Sequence, residues 1–157
     1  MSDFSHLKQY EPGANTATLH LPIDATLKDG FGKWIDPTMT MRAAGQSNAA
    51  YFDAISRINT KTGQTRRLAQ GKIDAKSVEN NRRNDRALFP RHVIVGWAGI
   101  AGGDGTEVTF SQDACKAFLN ALPAWIMDEI RNFAAVPENF LPDTAPTQDE
   151  VDETAKN

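Results

Sequence analysis

The chain has little with which to build a metal or redox centre. It contains one cysteine and three histidines in 157 residues, and His6, His20, His92 and Cys115 lack the paired spacing of zinc ligands. A lone cysteine forms no internal disulfide, which suits a reducing cytosol. No apolar run approaches the ~20 residues that span a bilayer, and Met1 to Tyr10 has neither the basic start nor the apolar stretch of a signal peptide. The expectation is a soluble, intracellular protein with no membrane partner.

Catalytic signatures are equally sparse. No serine stands in a G-x-S-x-G elbow. Gly99, Gly102, Gly103 and Gly105 are not followed by the Lys-Ser/Thr of a phosphate loop, so they read as a turn, and Asp104 lacks the spaced oxygen ligands of a calcium loop. Asp128 and Glu129 are neighbours in sequence, and adjacent helical positions diverge by about 100°, too far to converge on one substrate. Cys115 lies on an apolar stripe, where a thiol behaves as a small hydrophobe. His92 has no partner identifiable from sequence for a general-base role. The chain is therefore expected to be no enzyme and to carry no cofactor.

What is present is one domain's worth of residues with 40% apolar content, enough for a single modest core. Charge is unevenly distributed. Residues 1–56, 57–92, 93–141 and 142–157 carry net charges of −2, +7, −4 and −4. A basic middle flanked by acidic segments favours self-association or an anionic partner.

Along the chain, Ala17, Leu19 and Leu21 alternate with Thr16, Thr18 and His20, and Met39 and Met41 alternate with Thr38 and Thr40. This period of two predicts two strands that pair, Pro37 marking an edge strand or a strand's beginning. Tyr51, Phe52, Ile55 and Ile58 recur at helical intervals and predict a helix over 47–59 with Ser47 as its cap. Residues up to 74 read as a basic loop, with room for a short helix at 64–70. Asp74 is placed to cap a helix over 75–89, largely wet and stopped or bent by Pro90. For the apolar run from Val93 to Ile100, periodicity does not separate strand from helix; helix followed by a turn is the reading adopted. Gly102 to Gly105 predicts a tight turn leading into a short strand with Val108 and Phe110 inward. Ser111 then caps a helix striped by Cys115, Phe118, Leu119 and Leu122, and Pro123 opens another striped by Ile126, Ile130, Phe133 and Ala134. Residues 142–157 hold two prolines, five acids and no aromatic, a composition that predicts a disordered acidic tail.

The fold class that follows is α+β: a mainly helical single domain with a short β-hairpin or small sheet over residues 1–141. It divides into an extended start at 1–45, helices with a basic connector at 47–91, and a turn-strand-helix-helix unit at 92–141. Two groups of residues are candidates for function. Arg66, Arg67, Arg82, Arg83 and Arg86 form a basic patch that fits a solvated face, a protein contact or phosphates, although Phe89 is the one ring available nearby for stacking on bases. Trp97, Trp125 and Phe133 fit either core or interface, and with Ile100, Ile126 and Ile130 they form a candidate protein-interaction surface.

Residues His92-Val93-Ile94-Val95-Gly96-Trp97-Ala98-Gly99-Ile100 and Asp104-Gly105-Thr106-Glu107-Val108-Thr109-Phe110-Ser111 resemble the tail assembly chaperones of long-tailed bacteriophages. In those proteins an apolar-Gly-Trp segment leads to an Asp-Gly turn and a short strand. A helix with a Phe-Leu or Leu-Leu pair, a proline and a last helix ending near Asn-Phe complete the pattern. Here the matching parts are Gly96-Trp97, Asp104-Gly105, Val108-Thr109-Phe110-Ser111, Phe118-Leu119, Pro123 and Asn139-Phe140, spanning residues 92–141. Thr109 stands where proline is common, and Ala98 to Gly103 is richer in glycine than usual. The resemblance implies a non-enzymatic morphogenesis factor in the host cytoplasm, absent from the mature virion. It would bind the tape measure protein and recruit tail tube protein, with self-association as a further expectation. A structural tail or head-tail connector protein is the alternative. A small nucleic-acid-binding regulator comes third, nucleic acid not being the expected partner.

Overall fold

A computed structural model describes residues 2–23, 36–62 and 75–142. Two short 3-10 helices, Ser5–Tyr10 and Pro12–Ala14, precede strand β1, Thr16–His20. β1 pairs antiparallel with β2, Thr38–Arg42, in a register running from Thr16 opposite Arg42 to His20 opposite Thr38. The alternation does here what it predicts. Met39 and Met41 point to one side and are fully buried, Ala17 and Leu19 beside them are half-buried, and Thr16, Thr18 and His20 face outward. Pro37 marks a beginning and not an edge: β2 is the central strand, and Pro37 stands just outside its ladder, where its carbonyl accepts from the Leu21 amide at 2.9 Å.

Four α-helices follow among the described residues: α1, Ala49–Thr62; α2, Ala75–His92; α3, Gln112–Ala121; and α4, Ala124–Ala135, with a 3-10 turn Pro137–Phe140 after the last. The cap of α1 is Asn48 and not Ser47. The Asn48 side chain accepts from the Tyr51 amide at 3.4 Å and donates to the carbonyls of Ala43 at 2.9 Å and His92 at 2.8 Å. A carboxamide can both accept and donate, so Asn48 ties the start of α1 to the end of α2, which a serine hydroxyl is too short and too poor in donors to do. The Ser111 cap of α3 forms as expected, its hydroxyl accepting from the Ala114 amide at 3.0 Å. Pro90 neither stops nor bends the chain out of helix. It lies in the last turn of α2, where its missing N–H costs one hydrogen bond, and the helix runs two residues further.

The reading of 93–100 as helix and turn is overturned. Ile94–Ala98 is a third strand, β3, antiparallel to β2 with Thr38 opposite Ala98 and Met39 opposite Trp97. The apolar run is rich in β-branched residues and arrives beside the open edge of β2, where the Arg42 amide donates to the Val93 carbonyl at 2.7 Å. The tight turn after it is real. Gly105 has φ of 84°, its amide donates to the Gly102 carbonyl at 2.9 Å, and Gly102 donates to Thr106 at 2.9 Å. The strand expected beyond it shrinks to one bridge between Ala101 and Glu107, flanked by the Val108 amide donating to the Ile100 carbonyl at 2.8 Å, and the Val108 carbonyl accepts from the Trp97 indole at 2.7 Å.

The fold is thus α+β in one domain, a three-stranded antiparallel sheet with helices, and its core is one cluster. Met39, Met41, Phe89, Val93, Leu119, Ile126, Met127, Ile130 and Phe140 are each at most 1% exposed. Each such side chain contributes about 1.5–3 kcal/mol by leaving water. The expected helix at 64–70, the Asp74 cap, Arg66, Arg67 and the acidic tail at 143–157 lie outside the described residues.

Candidate protein-interaction surface

Helix α4 shows how one residue of phase separates core from surface. Ile126, Met127, Ile130 and Ala134 point inward and are buried, while Trp125, one residue and about 100° away from Ile126, is 51% exposed. Ile126 and Ile130 are completely buried and Ile100 is 2% exposed, so these three members of the expected interaction surface are corrected to core. Ile126 and Ile130 lie on the inward stripe of α4, and all three pack in the one core cluster with Met39, Phe89 and Leu119. Trp97 and Phe133 are half-buried against the molecule's own rings. Trp97 meets Phe110 and Phe118 edge-on at centroid distances of 5.2 and 5.4 Å, and Phe133 meets Phe140 at 5.8 Å. Of the six candidates, Trp125 alone presents most of its ring to solvent.

Of the five arginines of the expected basic patch, Arg82, Arg83 and Arg86 are among the described residues, and each is bonded within the molecule. Arg82 forks onto Asp128 with bonds of 3.0 and 2.8 Å, and Arg86 donates to the Leu122 carbonyl at 2.9 Å. Arg83 is exposed and bonds to Asn80 on its own helix. The wet centre expected for α2 is therefore partly an internal polar seam. Asp85, 5% exposed, accepts from the Tyr51 hydroxyl at 2.7 Å and from Arg131 Nε at 2.7 Å, and Arg131 also reaches Asp128 at 3.2 Å. The chain Tyr51–Asp85–Arg131–Asp128–Arg82 ties α1, α2 and α4 together. The hydrogen bonds from Arg82 hold the Asp128 carboxyl below the usual carboxylate range. Burial, then the adjacent Asp85 charge, drives the Tyr51 phenol upward.

Sequence reasoning missed both Asp85 and Tyr51 as partners. The available signal was the polar run Glu79 to Arg86 on a helix bounded by apolar residues, which admits a buried ion pair as well as a wet face. Cys115 is fully buried, and burial pushes its thiol up to about 12, far from a nucleophile's range. Among the described residues no group of three or more His, Cys, Asp or Glu side chains is arranged to hold a metal ion, and no helix is long and apolar enough to cross a membrane.

Fold and surface together define a small single-domain α+β protein whose buried polar network serves its own helices and which leaves a few large apolar side chains, Trp125 among them, exposed. Its sequence matches the family described as YdaY prophage protein over residues 46–155, most of the chain, and the protein belongs to that family. It is a phage-derived protein. No curated protein and no solved structure matches it.

Proposed function

We propose that this prophage protein is a non-enzymatic tail assembly chaperone that works in the host cytoplasm, binds the tape measure protein and recruits tail tube subunits. The observation that carries the reading is the resemblance of residues 92–141 to such chaperones within a chain of prophage family. In the structure that stretch is one continuous unit: β3 with Gly96-Trp97, the Asp104-Gly105 turn, the Ser111-capped α3 and the Pro123-led α4. The exposed Trp125 on α4 supports it as well, since a rigid amphipathic ring at a surface is a common anchor for an apolar helix. Covering the apolar face of a long helix removes its aggregation-prone surface from water, which is the service a tape measure protein needs before the tube polymerises. The internal engagement of Arg82 and Arg86 counts against a nucleic-acid-binding regulator, because a guanidinium held by carboxylate or carbonyl is less free for phosphate.

The test is co-expression with the tape measure protein of the same prophage, followed by co-purification and mass spectrometry of finished particles. Co-purification, a larger soluble fraction of the tape measure protein and absence from particles are expected. Trp125→Ala should weaken the complex by more than ~1 kcal/mol and leave the fold intact. Failure to co-purify, with stoichiometric presence in particles, would replace the reading with a structural tail or connector protein.

A further inference from the structure

The first 3-10 helix buries none of its residues. Such a helix turns once every three residues, so side chains at i, i+3 and i+6 stand in one row. Leu7 and Tyr10 stand in such a row, Phe4 caps the helix three residues before Leu7, and the three are 52%, 44% and 65% exposed. Bonds from the Leu7 amide to the Phe4 carbonyl at 3.0 Å and from Glu11 to Lys8 at 3.1 Å hold the three-residue winding. The ridge does not trail away from the domain. Asn15 donates to the Phe140 carbonyl at 2.8 Å, Arg42 donates to the Gly13 carbonyl at 3.3 Å, and Gly13 lies so close to the Ser47 carbonyl that a Cβ would collide with it.

Beside the ridge is a cleft of about 730 Å³, walled by the small residues Ala43, Ala44, Gly45, Ala134 and Ala135, with Tyr10 at its rim. A group of three large apolar side chains therefore adjoins a hollow lined by small ones, and Tyr10 belongs to both. We infer that this surface is a dimer interface that takes a second copy of the same chain, the ridge of each copy lying in the cleft of the other about a two-fold axis near Tyr10. Isologous pairing requires one patch that carries both knob and hole, and this patch does. Charge agrees: Lys8 flanks the ridge and Glu11 is the charged residue lining the cleft, so the two-fold brings Lys8 of each copy toward Glu11 of the other.

The acidic segment 143–157, which follows Leu141 at the cleft wall, is the poorer occupant, since its five acids would face Glu11. Size sets the strength. The exposed parts of three such side chains amount to on the order of 300 Å² per ridge. Two ridges and the cleft walls they cover bury roughly 1,200 Å² in all, the low end of specific interfaces, so the dimer is weak and forms at micromolar concentrations or above.

Sedimentation equilibrium on the full chain, from low micromolar to about 0.5 mM, reads the association directly. The mass should climb from 17.2 kDa toward twice that value. Leu7→Glu charges an exposed knob, and Gly45→Leu fills the hole at a position where a Cβ meets no atom within 4 Å, so both variants should stay folded by circular dichroism. Each should weaken association at least about tenfold, and a mixture of the two should recover part of it, because one wild-type ridge then meets one wild-type cleft. A wild-type chain monomeric throughout, or a dimer indifferent to both variants, overturns the assignment. Dimerisation only after removal of residues 143–157 would give the cleft to that segment and overturn it equally.

Discussion

Replacing Asp85 by alanine removes the acceptor that Tyr51 and Arg131 share. Asp85 is 5% exposed and Tyr51 8%, so the phenol left behind has little water to turn to. Arg131 keeps its contact with Asp128 at 3.2 Å, and its side chain is 22% exposed, so its charge is not stranded. Breaking a fully buried ion pair costs about 3–5 kcal/mol, and an unpaired buried hydroxyl about 1–3. With Arg131 partly rescued, the low end applies, about 3 kcal/mol, which in a domain of this length lowers Tm by roughly 6–12 °C. Urea unfolding at neutral pH, with unchanged m-value, measures it. Tyr51→Phe removes one hydrogen bond and leaves Asp85 with Arg131, so it should cost about 1 kcal/mol. In the Tyr51→Phe background Asp85→Ala should cost about 1 kcal/mol less than in the wild type, since no hydroxyl is then orphaned. A loss below ~1 kcal/mol for Asp85→Ala, or strict additivity of the pair, would mean that water reaches the seam and the network does not tie the helices.

Two further outcomes follow from the titrating groups. The Asp128 carboxyl is held below its ordinary value near 3.8, chiefly by Arg82, so its contribution is complete above that value and is lost as pH falls through the lower, folded one. Because its side chain is 35% exposed the effect is small, under about 1 kcal/mol. Stability below pH ~4 should therefore decline less steeply in Asp128→Asn than in the wild type; parallel acid limbs in the two urea series would refute this. Cys115, its thiol pushed up to about 12 by burial, should resist a disulfide reagent at pH 8 in the native protein and react as one thiol per chain in denaturant. Rapid labelling of the native chain would show that α3 opens readily.

Sequence alone determined whatever depends on neighbours along the chain. Period-two alternation at residues 16–21 and 38–41 set β1 and β2 and which of their faces is buried. The Ser111 hydroxyl and the stripe Cys115, Leu119 and Leu122 set α3, and Pro123 set the start of α4. Cys115 was legible as a core residue for the same reason: a helical stripe has one phase, and the thiol lies on it. Tertiary structure decided the rest. Val93-Ile94-Val95 satisfies a helix or a strand equally, and only the open edge of a β2 strand more than fifty residues upstream makes it β3. Of the apolar candidates Trp125 is exposed, while Ile100, Ile126 and Ile130 are core, because an apolar stripe announces that it will be covered without saying by what. Here the domain covers it itself. Asp85 carries the same lesson for charge: an acid amid arginines on a helix looks solvated until Tyr51 and Arg131, brought in from two other helices, replace water as its hydrogen-bond donors.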